Sequence, residues 1–492
     1  MRRFQPGVLC FALLFIGSFA LAEIPAEEYS ARRARLAEVI GPDGVALLLP
    51  HEAKHRNGDV NWPFRQDDSI LYLTGIDQPG TALALLPGEE THREILFLLD
   101  RDPLAEVWDG RLFSQDEATA LSGISEVVSA SRFEGFAHVA FGGLPWGETD
   151  LYRYYRPPGL PSLLEAVRQG RATLWLDLES RGAAGELTPE QKLAHTVRQR
   201  FPEVQVRDLS PQVKALREIK SPAERKVLQR AVDITVEAVE AAGRRARTAE
   251  HEYQVEATIE HTFRDRGACC WGYPSIVAAG YNATTLHYNT NNEAIDRGDL
   301  LLMDVGAEVD GYTADITRTF PVDGTFSEPQ REIYEAVLAA WSECLPKMRP
   351  GGRMAEVHNL AIEVLGRELL ALGLITEATP AQVEMYYLHG LGHPIGLQVH
   401  DAFDRTRAFE ADMVWTLEPG LYVRRADVEA SAAFRELPET DQAKIRQALE
   451  RYDGIGVRIE DDIWITEDGP ELMSDGLART VDEIEALLAG PS

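Results

Sequence analysis

Two aspartates lie in apolar segments that a tight turn joins. Residues 300–309 and 312–320 are largely apolar and flank an Asp-Gly pair, the strongest short signal for a β-hairpin. Pairing outward from that turn places Gly306 opposite Asp315, and Asp304 becomes the diagonal neighbour of Asp315 on the same face. The glycine leaves a gap between two carboxylates, and because unpaired buried carboxylates carry a high desolvation cost, this register predicts a divalent cation there. The alternative for either aspartate alone is a structural role, as a turn cap or as the partner of a nearby arginine.

Three histidines follow farther along the chain within twelve residues, His389, His393 and His400, and glycines and one proline separate them. Such a composition predicts a loop and not a helix. In helical zinc proteases of the H-E-x-x-H type a glutamate follows the first histidine, whereas this chain has Gly390 there. A buried histidine is usually no more than a hydrogen-bonded core residue, but three of them in one glycine-rich loop indicate a site.

Two glutamates lie in or beside apolar strands, where a carboxylate needs a partner. Glu418 follows the apolar run 413–417, and Glu460 lies within the segment 456–465. With the two aspartates and a single histidine they form an oxygen-rich ligand set. Such a set suits manganese better than a thiolate-bound zinc, although zinc, cobalt or iron can also occupy it. Four carboxylates exceed what one catalytic cation needs, so the set favours two ions roughly 3.5–4 Å apart that share bridging carboxylates.

The ordered set of five side chains resembles the metal ligands of the pita-bread metallopeptidases, a group that includes methionine aminopeptidase, prolidase and aminopeptidase P. The set consists of Asp304, Asp315, His393, Glu418 and Glu460. Four stretches of the second half are similar to the proline-specific branch, at residues 286–288, 311–320, 389–401 and 456–462. Three stretches of the first half are similar to the noncatalytic domain of aminopeptidase P, at residues 56–66, 72–75 and 106–110. The resemblance implies an α/β amino-terminal domain followed by an α+β catalytic domain with the pita-bread (creatinase/aminopeptidase) fold.

The resemblance also implies how the ligands are divided between two divalent ions. Asp315 and Glu460 bridge the ions, Asp304 binds one of them, and His393 with Glu418 binds the other. A hydroxide held between the ions is then the nucleophile, so the reaction requires no serine or cysteine.

Further residues are implied to act on the substrate. Glu418 receives the proton of the nucleophile and passes it to the leaving proline nitrogen, while His287, His389 and His400 contact the substrate carbonyl and the proline side. Arg458 stands two residues before the last ligand, and strand alternation puts both side chains on one face. Its guanidinium either fixes a carboxylate or shapes the substrate pocket, the alternative being a purely structural ion pair.

These features predict a Xaa-Pro aminopeptidase, which releases the first residue of a peptide whose second residue is proline. Prolidase, which splits only Xaa-Pro dipeptides, shares every ligand, but residues 454–462 and 63–108 are closer to aminopeptidase P. A metal-free peptide-binding module or a creatinase-like hydrolase on the same fold is disfavoured because no ligand position is missing. Trp108 resembles an aromatic residue that closes the pocket of a neighbouring subunit, which implies a homodimer or homotetramer, unless it is a core tryptophan.

The elements that must position these residues fall into two domains. Apolar runs that begin at 45, 70, 81, 94 and 172 alternate with polar, helix-compatible stretches, which is typical of strands and helices in an α/β domain. Ser221, Pro222 and Glu224 supply an N-cap, a first-turn proline and a capping-box glutamate, so a long helix begins there. Further helices are predicted at 249–266, from a capping box at 327 and in a polar insertion at 426–451. We divide the chain into a signal peptide, an amino-terminal domain, a linker and a catalytic domain, at residues 1–22, 23–205, 206–220 and 221–492.

The first 22 residues have the pattern of an export signal, with two arginines, an apolar stretch from 8 to 21, and alanines at 20 and 22 in an A-x-A arrangement. We expect cleavage after Ala22 and a periplasmic or secreted protein. The apolar stretch is too short to span a hydrocarbon core of roughly 30 Å, and no later segment is suited to one. Stable membrane insertion is therefore not expected.

Composition excludes several other classes of protein. The net charge of −30 repels nucleic acid and anionic membranes. Of four cysteines, Cys10 belongs to the signal, and the other three are odd in number and lack metal-ligand spacing, so no disulfide framework is implied. The partners that the resemblance implies are peptides with proline at the second position and other copies of the chain.

Overall fold

The computed structural model describes residues 24–142, 159–178, 186–404 and 406–490. The expected signal peptide, residues 1–22, lies outside these ranges. Among the helices within them, none has both the length and the apolar character that crossing a membrane requires.

A six-stranded mixed sheet forms the centre of the amino-terminal domain. The strands of this domain are β1 Gly44–Leu48, β2 His55–Asn57, β3 Val60–Asn61, β4 Ala82–Leu85, β5 Glu94–Leu98, β6 Val127–Ser129, β7 Thr173–Leu176 and β8 Gln205–Asp208. The sheet has the order β6-β5-β4-β1-β7-β8, while β2 and β3 form a separate hairpin. The helices are α1 Ala26–Ile40, α2 Asp68–Thr74, α3 Pro103–Asp109, α4 Gln115–Ser122, α5 Phe133–Gly142, α6 Pro161–Arg168, α7 Pro189–Arg200 and α8 Ser210–Glu218. Every residue of β1 and β4 is buried, so the sheet is covered on both faces, as expected of an α/β domain.

One of the strands expected in this domain is a helix. Four of the five apolar runs form strands as predicted, those at 45, 81, 94 and 172. The prediction for the run at Ile70 is wrong, because this run lies in α2. Asp67 caps the helix by accepting hydrogen bonds from the amides of Ser69 and Ile70, and Gly75 ends it in the left-handed conformation. A short apolar run has no periodicity that distinguishes a strand from a buried helix. Here the capping residues at both ends favour the helix.

Short antiparallel strands and longer helices build the second domain. The strands are β9 Cys270–Trp271, β10 Ile276–Ala279, β11 Leu300–Val305, β12 Ala307–Val309, β13 Tyr312–Thr313, β14 Ile316–Pro321, β15 Val414–Leu417, β16 Gly420–Tyr422, β17 Gly456–Arg458, β18 Asp461–Thr466 and β19 Gly469–Leu472. They pair as β10-β11-β14, β13-β12-β9, β15-β18-β19 and β16-β17. The helices are α9 Pro222–Ala246, α10 Glu252–Asp265, α11 Glu328–Cys344, α12 Met354–Ala371, α13 Pro380–Val383, α14 Arg425–Ala430, α15 Ala432–Arg435, α16 Glu439–Tyr452 and α17 Val481–Ala489. Short 3₁₀ turns lie at Gly280–Thr284 and Leu345–Lys347 of this domain and at Ala130–Arg132 of the amino-terminal domain.

The predicted helix starts of this domain are confirmed. Ser221 and Glu224 form the capping box of α9, and Ser327 and Gln330 form that of α11. The helix expected at 249–266 is α10, and the polar insertion consists of α14, α15 and α16 between β16 and β17. Local signals therefore determine the helical scaffold that surrounds the strands.

The predicted hairpin register is also confirmed. Val309 pairs with Tyr312 in the β12–β13 ladder, and in the neighbouring β11–β14 ladder Asp304 pairs with Thr317 in the same register. The two turn residues have φ angles of 47° and 83°, the left-handed pair that a type I′ turn requires. Asp315 lies where the ladder is interrupted, two residues before Thr317, so its side chain shares a face with Asp304.

Arg65 joins the amino-terminal domain to the second domain. Its guanidinium donates hydrogen bonds to Glu308 Oε2 at 3.1 Å and to the Gly311 carbonyl at 3.2 Å. A third bond, of 2.5 Å, reaches the Leu397 carbonyl, which belongs to the loop of the predicted site histidines. The amino-terminal domain therefore braces both the hairpin turn and the histidine loop.

Candidate metal centre

The predicted ligands converge in the interior of the second domain. Asp304 lies on β11, Asp315 in the break before β14, and Glu460 in the break before β18. These three residues are buried, with exposed fractions of 7%, 4% and 2%. One ligand atom from each of Asp315, His393 and Glu460 lies within 4.8 Å of the other two. Residues that are distant in the chain therefore share one small space.

His393 faces the carboxylates through its Nε2 atom. That atom lies 3.4 Å from Asp315 Oδ2 and 3.6 Å from Glu418 Oε1. The other ring nitrogen, Nδ1, is 3.2 Å from the Pro394 carbonyl, to which it can donate a hydrogen bond, and this arrangement leaves Nε2 as the atom that would bind a cation. The His393 amide donates to Thr416 Oγ1 at 3.0 Å, and the Thr416 amide donates to the His393 carbonyl at 2.8 Å. The backbone hydrogen bonds therefore hold the ring of His393 with Nε2 facing the position of a cation.

Tyr273 lies between the two aspartates, a position that no pattern in the sequence indicated. Its hydroxyl is 2.6 Å from Asp304 Oδ1 and 2.5 Å from Asp315 Oδ1. The prediction of an open gap beside Gly306 is wrong. A Cβ atom on that glycine would lie 1.8 Å from the Ala314 carbonyl oxygen and 3.0 Å from Cε1 of Tyr273. Glycine is required there because a backbone and a ring approach it closely, with the tyrosine hydroxyl between the carboxylates.

Arg458 is buried among the acids. It forms an ion pair with Asp304 through Nη2, and its Nε lies 3.8 Å from Glu460 Oε2. Nη1 donates to the Tyr422 hydroxyl at 2.7 Å, and Nε donates to Thr317 Oγ1 at 3.1 Å. Thr317 Oγ1 in turn donates to Glu460 Oε2 at 2.6 Å. These contacts fit both the fixing of a carboxylate and a structural ion pair, and strand alternation could have identified the threonine as a second positioning residue.

The three histidines predicted to contact substrate line the same cavity as the ligands; they are His287, His389 and His400. His389 Nδ1 is 3.6 Å from Glu418 Oε2, and its Nε2 is 2.8 Å from the Tyr422 hydroxyl. Burial lowers the pKa of His389 to about 3. Partial burial lowers the pKa of His400, which lies nearer the solvent, to about 4. Both rings are therefore neutral at pH 7 and act as hydrogen-bonding groups.

Burial and mutual repulsion raise the pKa values of Asp315, Glu418 and Glu460. Burial is the main cause at Asp315 and at Glu460, and the neighbouring acids add to it, so both pKa values lie well above the ordinary range. The pKa of Glu418 is raised to about 7, again mainly by burial. Arg458 supplies a positive charge that opposes these shifts without cancelling them. Divalent cations would supply the missing charge, so the donor set and its electrostatics both fit a metal centre.

A cavity of about 930 Å³ lies beside the carboxylates. Its lining includes all five predicted ligands together with Tyr273 and Arg458. The first turns of α12 add Met354, His358 and Asn359. This volume is within the range of small-ligand sites and suits a short peptide.

We expect added manganese to raise the melting temperature of EDTA-treated protein more at pH 8 than at pH 5. A carboxyl group with a higher pKa in the folded than in the unfolded protein destabilises the folded state progressively as the pH rises between the two values. For Glu418 this window runs from 4.5 to about 7. Bound cations remove the repulsion between carboxylates that remains above this pH window. We therefore expect manganese to raise the melting temperature by about 5 °C or more at pH 8 and by almost nothing at pH 5.

Differential scanning fluorimetry measures this difference directly. An Asp315→Asn variant serves as the control, because it lacks one predicted bridging ligand and should gain less at pH 8. Equal gains at both pH values would contradict the role assigned to the buried carboxylates.

Comparison with known proteins agrees with this geometry. Residues 226–467 match the metallopeptidase family M24, and residues 29–142 match the aminopeptidase P N-terminal domain. The chain is 35% identical to the Xaa-Pro aminopeptidase of Haemophilus influenzae over 479 residues, which cover 95% of this chain and 98% of that protein.

Solved structures show the same relationship. Aminopeptidase P from Escherichia coli with the inhibitor Pro-Leu is 32% identical and has a TM-score of 0.78, covering 95% of this chain and 99% of that chain. The zinc-substituted form of that enzyme in complex with product has the same TM-score, identity and coverage. These similarities confirm the fold class expected from the sequence, an α/β domain followed by a pita-bread catalytic domain.

Proposed function

The chain belongs to the aminopeptidase P branch of metallopeptidase family M24, and we therefore propose that it releases the amino-terminal residue from peptides whose second residue is proline. One observation carries the proposal. The five predicted ligands, three histidines and Arg458 line one cavity, in a chain that aligns with a Xaa-Pro aminopeptidase over nearly its full length. A metal-free binding module on the same fold is disfavoured, because a buried set of acids without cations would retain its repulsion.

Divalent metal ions belong to the proposed reaction, and we propose two of them with manganese as the native ion. Asp315 and Glu460 would bridge the pair, Asp304 would hold one ion, and His393 with Glu418 would hold the other. When bound, the ions activate a water molecule and polarise the scissile carbonyl. A donor set of carboxylates with one imidazole supports manganese, with zinc, cobalt and iron as alternatives.

Glu418 and His389 are placed to handle protons and substrate. Glu418 borders the cavity, and in the cation-free site burial raises its pKa to about 7. His389, 3.6 Å away, is neutral because burial lowers its pKa to about 3, so it serves as a hydrogen-bond partner. We assign to Glu418 the delivery of a proton to the leaving proline nitrogen. His287 and His400 are assigned contacts with the substrate carbonyl and the proline side.

Substrate length tests the proposed activity against prolidase. With manganese added, we expect Xaa-Pro-Yaa tripeptides to be hydrolysed at the first bond at least about 10-fold faster, in kcat/KM, than Xaa-Pro dipeptides. Xaa-Ala-Yaa tripeptides are the control for the proline requirement. Chromatographic quantification of the released amino acid measures the hydrolysis rates of all three substrate classes. Cleavage of dipeptides alone would favour prolidase, and cleavage of neither class would contradict both assignments.

The exposure of Trp108 supports an oligomeric enzyme. Helix α3 presents Leu104, Val107 and Trp108 to solvent with exposed fractions of 78%, 79% and 87%. The alternative of a core tryptophan is therefore wrong for this chain. Apolar side chains exposed side by side mark interaction surfaces. We propose that this surface packs against another copy of the chain, in a homodimer or homotetramer, and that Trp108 closes the partner's substrate cavity.

A Trp108→Ala variant is expected to lose about 10-fold or more in kcat/KM, because an aromatic residue at the centre of an interface contributes much of its binding energy. Leu370→Ala, at an apolar side chain of α12 that is 45% exposed, is the control and should keep full activity. Light scattering and steady-state kinetics are measured on the same samples. A wild-type protein that is monomeric and fully active would contradict the proposal.

We also propose that residues 1–22 direct export and are removed, which leaves a periplasmic or secreted enzyme. The basic start, the apolar stretch and the A-x-A pattern support this assignment. Amino-terminal sequencing of the exported protein should begin at Glu23. Recovery of the full-length chain from the cytoplasm alone would contradict it.

A further inference from the structure

Cys269 and Cys270 form a thiol pair at the start of β9, outside the ligand set of the metal centre. Their Sγ atoms are 2.7 Å apart. Glu308 Oε1 lies 3.5 Å from the Cys269 sulfur and 3.7 Å from the Cys270 sulfur. These thiols have no role in the proposed peptidase reaction.

The pair is open to solvent on one side and fixed on the other. Cys269 is exposed, and Cys270 is partly buried. The Cys269 amide donates to the Glu308 carbonyl at 3.0 Å, and Cys270 pairs with Glu308 across the β9–β12 ladder. Glu308 is itself buried, and its other carboxylate oxygen accepts a bond of 3.1 Å from Arg65. A small reagent can therefore reach two sulfurs that the strand holds face to face.

The two sulfurs and a carboxylate oxygen of Glu308 lie within 4.8 Å of one another, as in a cation site, but the sulfurs are closer together than chelation of one ion requires. A tetrahedral zinc-type ion with metal–sulfur distances of about 2.3 Å needs its two sulfurs about 3.8 Å apart. A disulfide needs them about 2.05 Å apart. The observed 2.7 Å lies closer to the second value.

We propose that Cys269 and Cys270 are a two-thiol modification site that closes to a disulfide between neighbouring residues when it meets a small-molecule disulfide. The Cys270 thiolate attacks one sulfur of the oxidant, which forms a mixed disulfide and releases one thiol. The Cys269 thiol then loses its proton and attacks the Cys270 sulfur, and the second thiol leaves. In total two cysteine thiols give up two protons and two electrons, and the oxidant becomes two thiols.

The local environment agrees with this order of attack. The hydrogen bond between the two thiols lowers the pKa of Cys270 and raises the pKa of Cys269, which favours Cys270 as the first thiolate. The α-carbons of neighbouring residues are only about 3.8 Å apart, less than the roughly 4.4–6.8 Å that most disulfides span, so a thiol reductant should reopen the bond. Tyr273 follows β9 closely in the chain and contacts both aspartates. The closure therefore takes place on the segment that carries this tyrosine to the metal centre.

Peptide mass analysis of the full chain tests the proposal. Trypsin releases residues 267–297 as one fragment, which contains both cysteines of the pair and no other. The protein is treated with oxidised glutathione or with dithiothreitol, alkylated with iodoacetamide in denaturant and digested. We expect two alkyl adducts on the fragment from reduced protein. Oxidised protein should yield the unmodified fragment, lighter by two hydrogen atoms, and dithiothreitol should restore the adducts.

Two controls make the result specific. The fragment 332–347 contains the buried Cys344 and should be alkylated equally in both samples. A Cys269→Ser variant should stop after the first step and retain one glutathione on Cys270. Wild-type protein that retains glutathione, or that remains fully alkylated after oxidation, would overturn the proposal. Protection from alkylation that a chelator abolishes, without the loss of two hydrogens, would also overturn it in favour of a bound cation.

Discussion

An Asp315→Asn variant is expected to lose about 10³-fold or more of its peptide hydrolysis, together with tightly bound metal. Asparagine has nearly the same shape, and its amide oxygen can still accept the hydrogen bond of Tyr273, so the change removes mainly one negative charge and one bridging oxygen. The lost oxygen, Asp315 Oδ2, lies 3.4 Å from His393 Nε2. Steady-state kinetics on a Xaa-Pro-Yaa tripeptide and elemental analysis of the purified protein measure the two losses.

Asp462→Asn is the matched control. Asp462 is also buried, and its Oδ2 accepts a hydrogen bond of 3.0 Å from the Asp315 amide, but it is outside the predicted ligand set. An asparagine keeps an acceptor oxygen there, so we expect retained metal and a loss of at most about 100-fold. Burial raises the pKa of both aspartates, so loss of either charge should not unfold the protein. An Asp315→Asn protein that keeps both metal equivalents and full turnover would refute the assignment.

The second large effect is expected from Glu418→Gln. Glutamine cannot take up the proton that the leaving proline nitrogen needs, and it binds a cation weakly. We expect kcat to fall by about 10³-fold while KM changes by less than about 5-fold, since the rest of the substrate contacts remain. Kinetics over a range of tripeptide concentrations separate the two constants.

A His389→Gln variant provides the comparison for this effect. His389 lies 3.6 Å from Glu418 and is neutral because burial lowers its pKa to about 3, so its loss should cost only about 10–100-fold. If the histidine variant lost more turnover than the glutamate variant, the proton-transfer role would belong elsewhere.

The candidate site could be found in the sequence because its signals are short in range. A two-residue turn sets the hairpin register, so the placement of Asp304 relative to Asp315 needs only a count along two strands. The capping boxes at Ser221 and Ser327 involve residues three positions apart, and both form as predicted. The resemblance to known peptidases then supplied the roles that spacing alone left open.

Contacts between distant segments could not be found in this way. The Tyr273 hydroxyl meets aspartates 31 and 42 positions away, and Arg458 meets Asp304 across 154 positions. The choice between helix and strand at Ile70, and between core and surface at Trp108, also depended on what packs against each segment. The residue pattern within one segment does not indicate which other segment will pack against it in the folded protein.

By itself, the sequence predicted which acids and histidines belong to the candidate site, the register of the hairpin and where the main helices begin. Only the tertiary structure decided that these side chains share one cavity, that Tyr273 lies between the aspartates and that two thiols face each other. Turns, caps and strand alternation arise from hydrogen bonds and steric contacts within a few residues, so they can be predicted from the sequence. Burial, shifted pKa values and the geometry of a metal centre arise from atoms that folding brings together through space.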